Sequence, residues 1–109
     1  MIYILNAAVM TNYGLFKYSK TCLEQVQYVV SNSEFTNAIG HESTAKLFSQ
    51  LTGVGVTPNR LQVKMMPGDK AVVFWANKRL PEGYVVQTVE ELNEIGFTFG
   101  WLEMVAELS

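Results

Sequence analysis

Short apolar runs and alternating segments predict the strands of this chain. Residues 2–5 are β-branched and aromatic, which is typical of a buried strand, and residues 71–76 form a continuous apolar run. Residues 61–65 alternate apolar and polar side chains just before the turn sequence Pro67-Gly68-Asp69. We therefore expect 61–65 and 71–76 to form a hairpin whose second strand is buried on both faces. Alternation predicts two further strands, over residues 15–19 and 97–105.

Apolar residues at helical spacing predict three helices. In the second, Ala45, Leu47, Phe48 and Leu51 line one face, and Gly53 ends the helix. In the first, which ends near residues 31–33, and in the third, a threonine precedes a glutamate by three positions. This is the sequence pattern of a capping box. The two predicted capping boxes pair Thr21 with Glu24 and Thr88 with Glu91.

The length and composition of the chain predict one domain over residues 1–109. The chain has 109 residues, of which 49% are hydrophobic and 17% charged, so it is long and apolar enough to bury one core. Strands and helices that follow one another in this order predict an α/β (α+β) fold. We expect a mixed β-sheet with helices packed on it.

Charge and composition argue against several functional classes. The net charge of −2 argues against broad binding to long DNA or RNA, which depends on a basic surface. We expect no membrane span and no signal peptide, and hence a cytoplasmic protein, or one of the host cytoplasm if it is viral. A single cysteine, Cys22, fits a reducing compartment. The sequence has no cluster of histidines or cysteines that would predict a metal site. We also expect no cofactor.

The candidate chemistry is concentrated in residues 36–44. This stretch contains His41, the only histidine, after Gly40, which allows a tight backbone turn. A helix that begins at Glu42 would place His41 beside free backbone N–H groups and the positive end of the helix dipole, which attract anions. A proton carrier beside a phosphate site is what phosphoryl chemistry needs. A histidine at a helix start is also commonly a turn residue or a local cap.

A second candidate element follows the predicted buried strand. Arg79 and Glu82 flank a turn that is fixed by Pro81. The guanidinium fork of arginine suits the oxygens of a phosphate, whereas a carboxylate near phosphate is tolerated only if it is paired or used in the chemistry. The alternative interpretation is a surface ion pair on a turn, which is common and weak.

The motifs occur in the order that is found in a known family. The run Asn-Ala-Ile-Gly-His-Glu-Ser-Thr over residues 37–44 is followed by Pro-Asn-Arg at 58–60, Pro-Gly-Asp at 67–69 and Arg-Leu-Pro-Glu-Gly at 79–83. With Asn6 and Ala7 after the first strand, this set resembles the viral ring nucleases, a type III anti-CRISPR family, over nearly the whole chain. The family's enzymes degrade cyclic tetra-adenylate, the second messenger of type III CRISPR complexes. They act as homodimers and need no metal.

The resemblance implies a function and a set of site residues. His41 corresponds to the family's catalytic histidine, Glu82 to its active-site glutamate and Arg79 to the companion arginine. The first loop departs from the family pattern, because Val9 and Met10 come before its Thr-Asn pair. The residues expected to bind the ring are Asn6, Thr11, Asn12, Gly40, Ser43, Thr44 and Arg60.

The expected reaction is attack of a ring 2′-hydroxyl on the adjacent phosphorus. His41 would protonate the departing 5′-oxygen, while Arg79 and helix N–H groups hold the phosphate. Glu82 would either orient the imidazole or help to activate the 2′-hydroxyl. A C₂ homodimer can share its axis with the ring, so two opposite cuts would give linear di-adenylates and shut off the CRISPR ancillary effectors. The alternative is a non-catalytic protein that sequesters a cyclic nucleotide or serves as a protein-interaction module.

Overall fold

A computed structural model of the chain describes residues 1–6, 12–76 and 88–107. None of its described helices is long and apolar enough to cross a membrane. The described elements, in chain order, are β1 (Ile2–Leu5), β2 (Gly14–Thr21), α1 (Leu23–Asn32), β3 (Thr36–Asn37), α2 (Glu42–Thr52), β4 (Lys70–Ala76), α3 (Val89–Ile95) and β5 (Phe97–Glu107).

The strands form one mixed sheet in the order β2-β5-β4-β1-β3. β1 runs parallel to both β3 and β4, whereas β5 is antiparallel to both β4 and β2. The three parallel strands therefore end at the same edge of the sheet, which is the edge formed by their carboxyl ends. The chain that leaves β1 at Asn6 and the chain that leaves β3 toward α2 both emerge at this edge. The predicted fold, a single domain with a mixed sheet and helices packed on it, is confirmed.

The three helices pack on one face of the sheet. Ala45, Leu47 and Phe48 of α2 are buried there, as their spacing predicted. Phe48 meets Phe74 of β4 and Phe99 of β5 with ring centroids 6.0 and 6.3 Å away. Gly53 ends α2 in a left-handed conformation, at φ 75°, as glycine commonly does after a helix. The position of α2, and hence of its N-terminus, is fixed by this aromatic core.

An extended segment covers the opposite face of the sheet. Val63 and Met65 are buried against β4 and β5, in a second core with Ala71, Val73 and Leu102. Val63 and Met65 are thus buried as the alternating pattern predicts, whereas Leu61, the first apolar residue of the pattern, is exposed.

The predicted hairpin of 61–65 with 71–76 is wrong. β4 has β1 on one side and β5 on the other, so neither of its two rows of backbone groups is left for a third strand. The segment instead lies over the face of the sheet. The turn that follows it is present: Asp69 N donates to Met66 O and Met66 N donates to Asp69 Oδ2, each at 2.9 Å. Apolar alternation reports which side chains are buried and does not require backbone pairing.

One predicted helix cap is confirmed and one is wrong. Thr88 caps α3, because its side chain accepts a hydrogen bond from the Glu91 backbone N–H at 3.1 Å. Thr21 is instead the last residue of β2, and Cys22 is the N-cap of α1 without a side-chain cap bond. The strand pairing with β5 extends through Thr21, which holds this residue in the sheet.

Candidate active site

His41 occupies the N-cap position of α2. Its backbone is extended, with φ −98° and ψ 129°, and its carbonyl accepts the first helical hydrogen bond, from Ala45 N at 3.0 Å. Its side chain is exposed and makes no cap hydrogen bond. This argues against the alternative interpretation in which the imidazole itself caps the helix. The imidazole is therefore available to a ligand beside the unpaired N–H groups of the first helical turn.

An open cleft of about 430 Å³ lies at this helix end. It is lined by His41, Glu42, Ser43 and Lys46. Ser43 and Thr44, both predicted to bind the ring, lie in the first turn of α2 and are half-buried. Lys46 was not among the predicted residues. Its position four residues after Glu42 places the two on the same helical face, so periodicity could have identified it.

Gly40 and Arg60 are brought together, as their shared predicted role requires. A Cβ added to Gly40 would lie 2.9 Å from Arg60 Cγ, so the side chain of Arg60 passes close to the Gly40 backbone. We expected glycine at position 40 because of a tight turn, and the structure gives a different reason. Among the described residues, positive φ angles occur at Gly53, Gly68 and Gly96 and not at Gly40. Glycine at position 40 leaves room for the Arg60 side chain, which would have to move if a Cβ were added.

Residues 54–60, here called the strap, carry Arg60 to this position. Val54 and Val56 pack against the core under the helices, whereas Val63 packs on the opposite face, so the chain passes around the β3 edge of the sheet. Ser49 of α2 holds the start of the strap, since Val56 N donates to Ser49 Oγ at 2.9 Å.

Two asparagines, Asn37 and Asn59, hold the other end of the strap; we call them the asparagine latch. Asn59 Nδ2 donates to Asn37 O at 2.7 Å, and Asn37 Nδ2 donates to Thr57 O at 2.6 Å. Asn59 N also donates to Ile39 O at 2.8 Å, and Ile39 N donates to Asn37 Oδ1 at 3.1 Å. No sequence signal pairs these two residues, because only the folded chain brings the strap against β3.

The two other described site residues are placed differently. Asn6 is half-buried directly after β1, at the edge where β3 also ends. The amide of Asn12 bonds the backbone of Met65 in both directions: Nδ2 donates to Met65 O at 2.8 Å and Oδ1 accepts from Met65 N at 3.2 Å. Asn12 thus fixes the segment that covers the second core, and its role as a ligand contact stays a prediction.

The remaining predicted site residues, Thr11, Arg79 and Glu82, lie outside the described residues. The described part of the site is therefore built from the N-terminus of α2, the strap and the end of β1. Within this part of the chain, no three His, Cys, Asp or Glu side chains are grouped so that they could hold a metal ion.

Comparison with known proteins adds the family. The sequence matches the STIV B116-like family over residues 2–99. This chain belongs to the STIV B116-like family. It is 35% identical over 109 residues to "Uncharacterized protein 26" of Sulfolobus islandicus filamentous virus, a match that covers 96% of this chain and 92% of that protein. It is 34% identical over 110 residues to "Uncharacterized protein ORF117" of Acidianus two-tailed virus, covering 96% of this chain and 94% of that protein.

A solved structure of the STIV B116-like family has the same fold. B116 of Sulfolobus turreted icosahedral virus superposes with a TM-score of 0.73 at 25% identity, and the match covers 94% of this chain and 97% of B116. The predicted relationship to viral proteins is thus confirmed at the level of the family, which has viral members. The range that matches the family, 2–99, contains every predicted site residue.

Proposed function

We propose that this STIV B116-like protein is a metal-independent ring nuclease that cleaves cyclic tetra-adenylate into linear di-adenylates. The observation that carries the proposal is the juxtaposition of His41, at the N-terminus of α2, with Arg60, whose side chain passes against Gly40. The motifs that resemble the viral ring nucleases include these same residues. Action in the host cytoplasm, where it would shut off the CRISPR ancillary effectors, is part of this proposal.

The electrostatics of the described site favour a phosphate. The cleft borders the N-terminal end of α2, where the helix dipole and free backbone N–H groups attract anions, and Lys46 on its wall balances the charge of the Glu42 carboxylate. The Arg60 guanidinium can add charge-assisted hydrogen bonds, each of about 1.5–3 kcal/mol. The net charge of −2 is compatible with this role, because the attraction is local to the cleft.

The reaction requires one proton donor at the leaving group. The ring 2′-oxygen forms a bond to the adjacent phosphorus and loses its proton to water or, where Glu82 activates it, to that carboxylate, while the bond from phosphorus to the 5′-oxygen breaks. In our proposal His41 gives its proton to that 5′-oxygen, and the product ends in a 2′,3′-cyclic phosphate. A positioned general acid accelerates such a step by about 10²–10⁴-fold.

Arg79 and Glu82 enter the proposal through the resemblance. They follow Ala76, the last residue of β4, by three and six positions. β4 ends at the same edge of the sheet as β1 and β3. The chain therefore leaves β4 on the side where Asn6 follows β1 and where α2 begins. Arg79 would stabilise the phosphate charge, and Glu82 would orient the imidazole or help to activate the 2′-hydroxyl.

A homodimer completes the proposed mechanism. A cyclic tetranucleotide has a two-fold axis, which a C₂ dimer can place on its own axis. Each protomer would then present one His41 to one of two opposite linkages, and two cuts would give two di-adenylates.

The proposal is tested by incubating the purified protein with labelled cyclic tetra-adenylate in EDTA. Linear di-adenylate as the product supports the ring nuclease, and equal rates with and without EDTA support its metal independence. A ring that is bound but intact would replace the enzyme by a protein that sequesters the messenger. If the ring is neither bound nor cut, the proposed ligand is wrong and a protein-interaction module is the better interpretation.

A further inference from the structure

The asparagine latch joins the two segments that carry His41 and Arg60. We infer that Asn37 and Asn59 are positioning residues that set the placement of Arg60 relative to His41. This inference deepens the proposed function and rests on it. Asn59 precedes Arg60 directly, and Asn37 lies in β3, at the start of the segment that leads to His41. Neither asparagine needs to touch the ligand to act in this way.

The latch ties the strap to β3, the edge strand of the sheet. β3 is only two residues long and pairs with β1, and Ala38 N extends this pairing by donating to Ile4 O at 2.8 Å. Asn37 therefore belongs to the sheet, and its bonds to the strap transmit the position of the sheet to Arg60. Without them, the strap would keep two attachments, from Val56 N to Ser49 Oγ and from Asn59 N to Ile39 O, and would lose the side-chain bonds that join Asn59 to Asn37 and Asn37 to Thr57.

The contribution of the latch to folding is expected to be small. The bonds that Asn59 Nδ2 makes to Asn37 O, and that Asn37 Nδ2 makes to Thr57 O, are both exposed to solvent. Water can replace a lost partner at an exposed hydrogen bond, so the fold should tolerate its removal. The backbone bond from Asn59 N to Ile39 O does not depend on the side chain.

The contribution of the latch to chemistry is expected to be larger. Phosphoryl transfer depends on placing charged donors around the phosphorus, and a displacement of about 1 Å can cost about 10²-fold in rate. Arg60 is exposed, and its side chain passes close to the Gly40 backbone, so its placement depends on where the backbone at residue 60 lies. The latch fixes the backbone at Asn59, one residue before Arg60.

The test compares Asn59→Ala with Asn32→Ala. Asn32 is a matched control because its amide also makes an exposed bond to a backbone carbonyl, Tyr28 O at 2.8 Å, at the end of α1. We expect both variants to melt within a few degrees of the parent. We expect Asn59→Ala alone to lower single-turnover cleavage of cyclic tetra-adenylate by about tenfold or more.

A double-mutant cycle with Arg60→Ala separates positioning from a general structural effect. If Asn59 acts through Arg60, Asn59→Ala should slow the Arg60→Ala protein little further. An equal further loss in that background, or a rate of Asn59→Ala near that of the parent, would overturn the inference.

Hydrogen exchange tests the latch independently of activity. In the ligand-free protein, Asn59→Ala should accelerate amide exchange at residue 59, whose N–H donates to Ile39 O at 2.8 Å, and at Leu61, whose N–H donates to Asn59 O at 3.0 Å, and Asn32→Ala should not. Unchanged exchange at both amides would overturn the inference, whether or not the parent cuts the ring. A parent that does not cut the ring, with exchange accelerated as expected, would instead reject the proposed function and retain the latch.

Discussion

At the scale of single residues, the site depends on contacts that the residue types alone do not reveal. Gly40 was expected to serve a turn, and it serves the close passage of Arg60. The amide of Asn12 bonds the Met65 backbone, which its sequence context did not predict, and its expected contact with the ligand stays a prediction. His41 was placed correctly beside the start of α2, because Gly53, the helical spacing and the charged first turn together fix the limits of that helix. Sequence patterns locate side chains on an element better than they identify their tertiary partners.

Gly40→Ala should weaken binding of the ring more than it weakens the fold. The added Cβ would lie 2.9 Å from Arg60 Cγ and would displace the guanidinium. Loss of a charge-assisted hydrogen bond of about 1.5–3 kcal/mol corresponds to about tenfold or more in affinity. Titration with cyclic tetra-adenylate in a His41→Ala background measures this loss. Gly55→Ala is the control, because a Cβ there meets nothing within 4 Å; equal affinities for the two variants would contradict the account.

Asn12→Ala should destabilise the protein by about 1–3 kcal/mol. The substitution removes two partly buried hydrogen bonds to Met65 and leaves a backbone donor and acceptor without these partners. Urea denaturation followed by circular dichroism measures the change in the free energy of unfolding. An unchanged stability, combined with weaker binding of the ring, would instead assign Asn12 to the ligand site.

At the scale of elements, apolar patterns predicted the helices and the central strands but not which segments lie beside each strand. The continuous apolar run of β4 was correctly expected to be buried on both faces. Residues 61–65 alternate in the same way as a strand, yet they cover a face of the sheet, because the neighbours of β4 come from distant parts of the chain. Thr21 and Thr88 carry the same capping pattern, and only Thr88 caps a helix, since strand pairing retains Thr21. Competition between local and tertiary partners decides these cases.

Thr88→Ala should destabilise α3 by about 1 kcal/mol, the usual value of an N-cap side chain. The helix has seven residues, so it is too short to be stable without its cap and its packing. Amide hydrogen exchange across α3 should become faster in Thr88→Ala. Thr88→Ser keeps the hydroxyl acceptor and should exchange like the parent; the same acceleration in both variants would contradict a capping role.

At the scale of the whole molecule, the sheet collects the proposed site at one edge. β3, β1 and β4 are adjacent and parallel, and ligands commonly bind beyond the carboxyl ends of such strands. Asn6 and the α2 N-terminus lie at this edge, where the chain also leaves β4. The strap passes around the β3 strand and brings Arg60 close to the α2 N-terminus. Residues 61–65 then continue over the opposite face of the sheet. The topology thus concentrates residues that are far apart in the sequence.

The proposed mechanism predicts a dimer that binds one ring. A chain of 12.2 kDa should appear in light scattering as a particle of twice that mass. Calorimetric titration of the His41→Ala protein with cyclic tetra-adenylate should give one ring for two chains, because the two-fold axes coincide. A monomer that binds one ring per chain would remove the symmetric double cut from the account.

The central claim is that His41 supplies a proton to the leaving 5′-oxygen. The measurement that tests it most directly is single-turnover cleavage of labelled cyclic tetra-adenylate in EDTA by the parent and by His41→Ala, with affinity measured in parallel. We predict that His41→Ala loses about 10²–10⁴-fold in rate and binds the ring within about tenfold of the parent, because the imidazole transfers a proton and contributes little to affinity. A His41→Ala protein that cuts the ring at the rate of the parent would contradict the claim.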